Sequence, residues 1–125
     1  METRLSNTEL KETFSHGNEA ILCIENDHFI EANQTALDLI GVSSLKIFQS
    51  LHPAMISPEF QADGNSSKSK ADEIFSTLKE SGSMRFKWQH IKLDGSPFDV
   101  EVTLRLRDED GHFYTDVHWR PLHRS

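Results

Sequence analysis

The sequence predicts an α+β domain built on an antiparallel sheet with one wet face. Three observations lead there: polar–apolar alternation through three segments between Met84 and Trp119, an earlier pair of short apolar runs split by turn residues, and helical spacing elsewhere.

Taken in chain order, residues 1–15 place Leu5, Leu10 and Phe14 among polar residues, which predicts a short amphipathic helix with a thin apolar stripe. Ala20 to Glu25 and Phe29 to Ala32 flank the turn-forming Glu25-Asn26-Asp27-His28 and predict a tight hairpin. Asn33 is a good N-cap for a helix through Ile40, with Ala36, Leu37 and Ile40 on one face and Gly41 ending it. From Val42 to Asn65 the pattern is irregular, broken by Pro53, Pro58 and Gly64, and predicts short helical turns and a loop; His52-Pro53 reads as a helix end. Ser69 with Asp72 resembles a capping box, and Ala71, Ile74, Phe75 and Leu78 follow at helical spacing until Gly82.

The strands after it are the clearest elements. Phe98, Val100, Val102, Leu104 and Leu106 point one way, while Asp99, Glu101, Thr103, Arg105 and Arg107 point the other. Met84, Phe86, Trp88 and His90 oppose Arg85, Lys87 and Gln89; Phe113, Thr115, Val117 and Trp119 oppose Tyr114, Asp116, His118 and Arg120. All three segments must bury the same side. Trp88 then needs an even-numbered partner such as Val100, which follows if Leu93 and Asp94 form a type I turn and Gly95 takes the left-handed position of a G1 bulge. Asp108 to Gly111 fits an even loop.

A length of 125 residues suits one domain, divided here as a flank over 1–15, a domain over 16–120 and the start of a linker over 121–125. The net charge of −7, without clustered Lys and Arg, argues against a nucleic-acid or anionic-membrane surface. Cys23 is the lone cysteine, in an apolar run, and reads as a buried structural thiol in a reducing compartment. No apolar run approaches the roughly 20 residues of a membrane span, so a cytoplasmic chain without membrane insertion is expected.

This element order resembles a PAS domain from about Phe14 to Arg120. Its markers are Asn33, Ala36 and Gly41 in Asn-Gln-Thr-Ala-Leu-Asp-Leu-Ile-Gly-Val, and Asp94-Gly95 between long strands. The segment from Leu51-His52-Pro53 to Asp63-Gly64, followed by Lys70-Ala71-Asp72-Glu73 and Arg85-Phe86-Lys87-Trp88, is similar to a bacterial PAS subgroup that sits ahead of diguanylate cyclase (GGDEF), chemoreceptor or histidine kinase modules. The resemblance implies a five-stranded antiparallel sheet with helices on one face and a flanking N-terminal helix. It also implies a sensory, dimerising input domain that is not itself an enzyme, acting on an attached or partner effector.

In that arrangement the inward strand faces and the long helix surround a ligand site. Phe75, Leu78, Phe86, Trp88, His90, Phe98, Val100, Thr115 and Val117 are the candidate pocket residues. The favoured expectation is that these side chains, with Trp119, fill the volume as packed core; the alternative is an apolar pocket with His90 and Thr115 as polar handles. No cofactor is named. Flavin of the light-sensing kind is disfavoured because the Asn-Cys-Arg-Phe-Leu motif is absent, and haem because Lys70 to Ser81 holds no histidine, leaving His52 and Met55 as weak alternatives. The histidines show no metal-binding spacing, so no metal is expected. His118 falls on the outer face beside Asp116, where a pH-sensitive interface is conceivable. Leu5, Leu10, Phe14 and Tyr114 are the candidate homodimer interface, since so short a helix needs a docking surface.

Two rivals stand beside the sensor. A ketosteroid-isomerase-like cone-fold enzyme has similar length and long C-terminal strands, but Asp99, Glu101 and Asp116 face outward and leave His90 as the inward base. A ligand-free dimerisation module differs from the sensor only in an empty pocket.

Overall fold

The computed structural model describes residues 19–122. The expected N-terminal helix, with Leu5, Leu10 and Phe14, lies outside them. Strands β1 (Ala20–Glu25) and β2 (His28–Ala32) are followed by helices α1 (Gln34–Ile40) and α2 (Leu45–Gln49) and a 3-10 turn (Pro53–Ile56). Helix α3 (Ser67–Ser81) then leads into β3 (Ser83–Ile91), β4 (Pro97–Glu109) and β5 (His112–Pro121). The five strands form one antiparallel sheet in the order β2-β1-β5-β4-β3, so the first hairpin adjoins the last strand and the sheet stays open at β2 and β3.

Register follows side-chain alternation. Trp88 pairs with Val100 and Ile91 with Pro97. Gly95 has φ 90° and donates to Lys92 O at 2.9 Å, while Lys92 N donates to Ser96 O at 2.8 Å. That is the expected bulged turn, in a conformation glycine adopts without steric cost. Across the next hairpin Glu109 pairs with His112, and Asp110 and Gly111, at φ 52° and 88°, form the even loop. Asn26 and Asp27 turn the first hairpin with the same positive φ, and a register shift past Cys23 marks a bulge.

The helices pack on the inner face. Phe48, Leu22, Ile40, Ile56, Leu78 and Val100 are the largest fully buried side chains, and Trp88, Val102, Val117 and Trp119 complete the sheet side of the core. Asn33 ties α1 to β1: its Oδ1 accepts from Ala36 N at 3.0 Å and Ile21 N at 3.1 Å, and its Nδ2 donates to Glu19 O at 2.9 Å. Gly41 closes that helix at φ 89°.

Two caps differ from expectation. Helix α3 starts at Ser67, capped by Ser66, whose hydroxyl accepts from Ser69 N at 3.1 Å; Asp72 pairs with Lys68 at 3.0 Å instead of closing a box. His52 opens the 3-10 turn rather than ending a helix, because its Nδ1 accepts from Ala54 N at 3.0 Å and Pro53 suits a first helical position.

Candidate functional site

Between the inner sheet face and the wall made by the 3-10 turn, the loop after it and the first half of α3 lies a cleft of about 760 Å³. Its floor is Leu22, Phe86, Trp88, His90, Val117 and Trp119; its opposite wall includes Ile56, Ala71, Ile74 and Phe75. Trp88 and Trp119 are buried in the core and also line the cleft, while Phe75 and Phe86 pack against that core at its border. Phe75 and Phe86 are half-buried where they border the cleft, whereas Leu78, one turn further along α3, is 1% exposed.

Five of the candidate residues meet in this lining: Phe75, Phe86, Trp88, His90 and Val117. Leu78, Phe98 and Val100 lie outside it, packed into the core or against it, and Thr115 is buried outside the lining, opposite its strand partner Ile24. Tyr114 is on the outer sheet face beneath Arg107, whose guanidinium carbon is 4.6 Å from the ring centre.

His90 is the polar centre of the floor. Its Nδ1 lies 3.0 Å from the carbonyl oxygen of Ile56, and its ring packs on Trp119 at 4.3 Å and Phe98 at 5.5 Å between centroids. A carbonyl only accepts, so Nδ1 carries the ring hydrogen and donates it. Burial pushes the imidazole pKa down to about 4, against the opposing pull of the Ile56 carbonyl, so the ring is neutral near pH 7. Nε2 is then a lone pair, buried, with no hydrogen-bond partner among the described residues.

The wall is fastened to β3 through consecutive residues. Trp88 Nε1 donates to Ser57 Oγ at 3.1 Å, Gln89 exchanges two hydrogen bonds with the Gln61 amide, and His90 holds Ile56. Gln61 Nε2 also reaches Ser67 Oγ at 2.8 Å, and Ser67 donates to Pro58 O at 2.5 Å. Ser57, Gln61 and Ser67 carry no sequence signal for these roles, because their partners lie far away in sequence and the segment has no period.

The outer face carries ion pairs. Arg107 binds Asp116 at 2.9 and 3.1 Å, pairs with Glu109 and lies 3.5 Å from Cys23 Sγ. Cys23 is thus on the face opposite the cleft; burial, then the neighbouring Asp116, pushes its thiol up to about 12. His118, also on this face, pairs with Glu19 rather than Asp116. Among the described residues no cluster of His, Cys, Asp or Glu is arranged to hold a metal, and no helix is long and apolar enough to cross a membrane.

No family model matches the sequence, and no curated protein matches it. Solved structures match the fold. A PAS domain from Colwellia psychrerythraea superposes with a TM-score of 0.75 at 14% identity, over 92% of this chain and 95% of that one. A domain of a sensory box sensor histidine kinase/response regulator from Geobacter sulfurreducens gives 0.72 at 18% identity, over 90% and 91%. A PAS domain from a two-component sensor histidine kinase gives 0.71 at 17% identity, over 93% and 100%. The strand order, the helices gathered on one face and these superpositions converge on one architecture, which also sets aside the cone fold: the chain has the PAS fold.

Proposed function

We propose that this chain is the sensory input domain of a bacterial signal-transduction protein, taking a small organic ligand in the cleft and regulating an attached effector as a homodimer. The supporting observation is the apolar cleft itself, walled on one side by a segment latched to β3 and floored in part by β5, the last strand of the sheet. A ligand that favours one arrangement of that wall shifts the population of the whole domain by its differential affinity. The histidine kinase context of two structural neighbours supports an effector of signalling type, and the sequence resemblance adds diguanylate cyclase and chemoreceptor modules. The domain carries no chemistry of its own in this reading; catalysis belongs to the effector.

Native mass spectrometry of gently purified protein tests it, since one spectrum reports subunit count and retained small molecules. A dimer with a stoichiometric added mass is expected. A bare dimer overturns the ligand half and leaves a dimerisation relay; a bare monomer overturns both halves.

A further inference from the structure

Resting on the reading of the cleft as a ligand site, we infer that it selects a neutral, mostly apolar small molecule presenting one hydrogen-bond donor, a hydroxyl or N–H, to His90 Nε2. The polarity follows from the tautomer. Nδ1 spends the ring hydrogen on the Ile56 carbonyl, so the other nitrogen of the neutral ring can only accept. That acceptor is buried with no partner among the described residues, in a residue that lines the cleft floor.

Neighbouring polar groups are already engaged with one another. Trp88 Nε1 binds Ser57 Oγ, Ser67 Oγ binds Pro58 O, and His52 Nδ1 caps Ala54 N. The charges at the cleft disfavour anions: Asp27, Glu59 and Asp72 line it against Lys68, which is itself paired with Asp72 at 3.0 Å, all four exposed to solvent. A cation would find its counter-charge only among the carboxylates at the mouth, since the floor beside His90 is apolar.

Nε2 has almost no accessible surface, so a donor reaches it only with a side-chain movement, and Trp119, which packs on the imidazole and also lines the cleft, is the ring placed to make it. Trp119 stands on β5, two residues before the strand ends at Pro121. Ligand engagement is therefore felt at the C-terminal end of β5.

The test uses the full chain, with three probes of similar size: indole, 1-methylindole and benzoate. Titrations are followed by the imidazole nitrogen signals of His90 and the indole N–H signal of Trp119 in NMR spectra. Indole should bind saturably, move the Nε2 signal and bind about tenfold tighter than 1-methylindole, because the donor meets an acceptor already withdrawn from bulk water. In His90→Phe the two indoles should bind equally, which separates the hydrogen bond from any steric effect of the methyl group. Equal affinities in the unmodified chain, or tightest binding by benzoate, overturn the donor inference while the ligand cleft stands. The absence of a saturable shift with any probe overturns both.

Discussion

Gln61 grips the main chain of Gln89 from both sides: its Oε1 accepts from Gln89 N at 2.8 Å and its Nε2 donates to Gln89 O at 3.1 Å. Strand β3 is an edge of the sheet, so these backbone groups have no strand partner, and a side-chain amide from the cleft wall takes the place of one. Gln61 itself is 7% exposed. Gln61→Ala should cost about 1–3 kcal/mol in urea melts, the expense of leaving two main-chain groups and Ser67 short of partners. Gln61→Glu should not rescue it, because a carboxylate oxygen would face the Gln89 carbonyl without a proton. Hydrogen exchange at the Gln89 amide would rise in both variants; unchanged protection would show that another group covers this edge.

Leu78 and Phe75 sit one turn apart on α3 and should behave oppositely to their sizes. Leu78, fully buried, should lose about 2–5 kcal/mol on truncation to alanine. Phe75 borders the cleft, so its removal enlarges an existing space and should cost only about 1 kcal/mol, well below the 3–5 kcal/mol of a packed phenylalanine. Equal losses in denaturant melts would mean that the cleft is closed in solution.

His90 makes stability depend on acid. Its folded pKa of about 4 lies below the ordinary 6.5, so between these values the unfolded chain binds more protons than the folded one. Stability is complete above about pH 6.5 and declines as pH falls toward 4, by about 3 kcal/mol in all. His90→Phe should remove this component. The checking measurement is the difference in unfolding free energy between parent and variant across that range; a constant difference would show that the ring titrates normally.

Arg107 should guard Cys23. The thiol, held at about 12, should resist alkylation at pH 8 in the folded protein and react once the chain unfolds. Arg107→Ala removes the bidentate pair with Asp116 and the contact on the sulfur, so it should lower stability by about 1–3 kcal/mol and uncover Cys23. Arg107 also pulls the thiol pKa down, so its loss makes the thiol less ionised, and faster alkylation of the folded variant would report gained access alone; equal or slower rates would mean that the strands by themselves bury the thiol.

Local signals in the sequence are legible where they have a period or a special backbone position. Alternation set the inward residues of β3, β4 and β5, and Gly95 and Gly111 marked turns whose positive φ they adopt. Asn33 and Gly41 bounded α1 as expected. Helix α3 is capped by Ser66 and not by Ser69, three residues earlier than the sequence suggests, since a run of serines offers several equivalent caps and only packing chooses among them.

The order of elements, the strand faces and the register of the hairpins were determined by the sequence itself, because each depends on neighbours within a few residues or across a short turn. Tertiary structure decided what the inner face encloses. Whether Phe75, Phe86 and Trp88 meet as core or border a cleft depends on how the wall is held against β3, by contacts such as Gln61 to Gln89 and His90 to Ile56, which span 28 and 34 residues. Side-chain pairing at such separations leaves no periodic trace, so the orphaned acceptor on His90, and with it the polarity of the site, emerges only when the chain is folded.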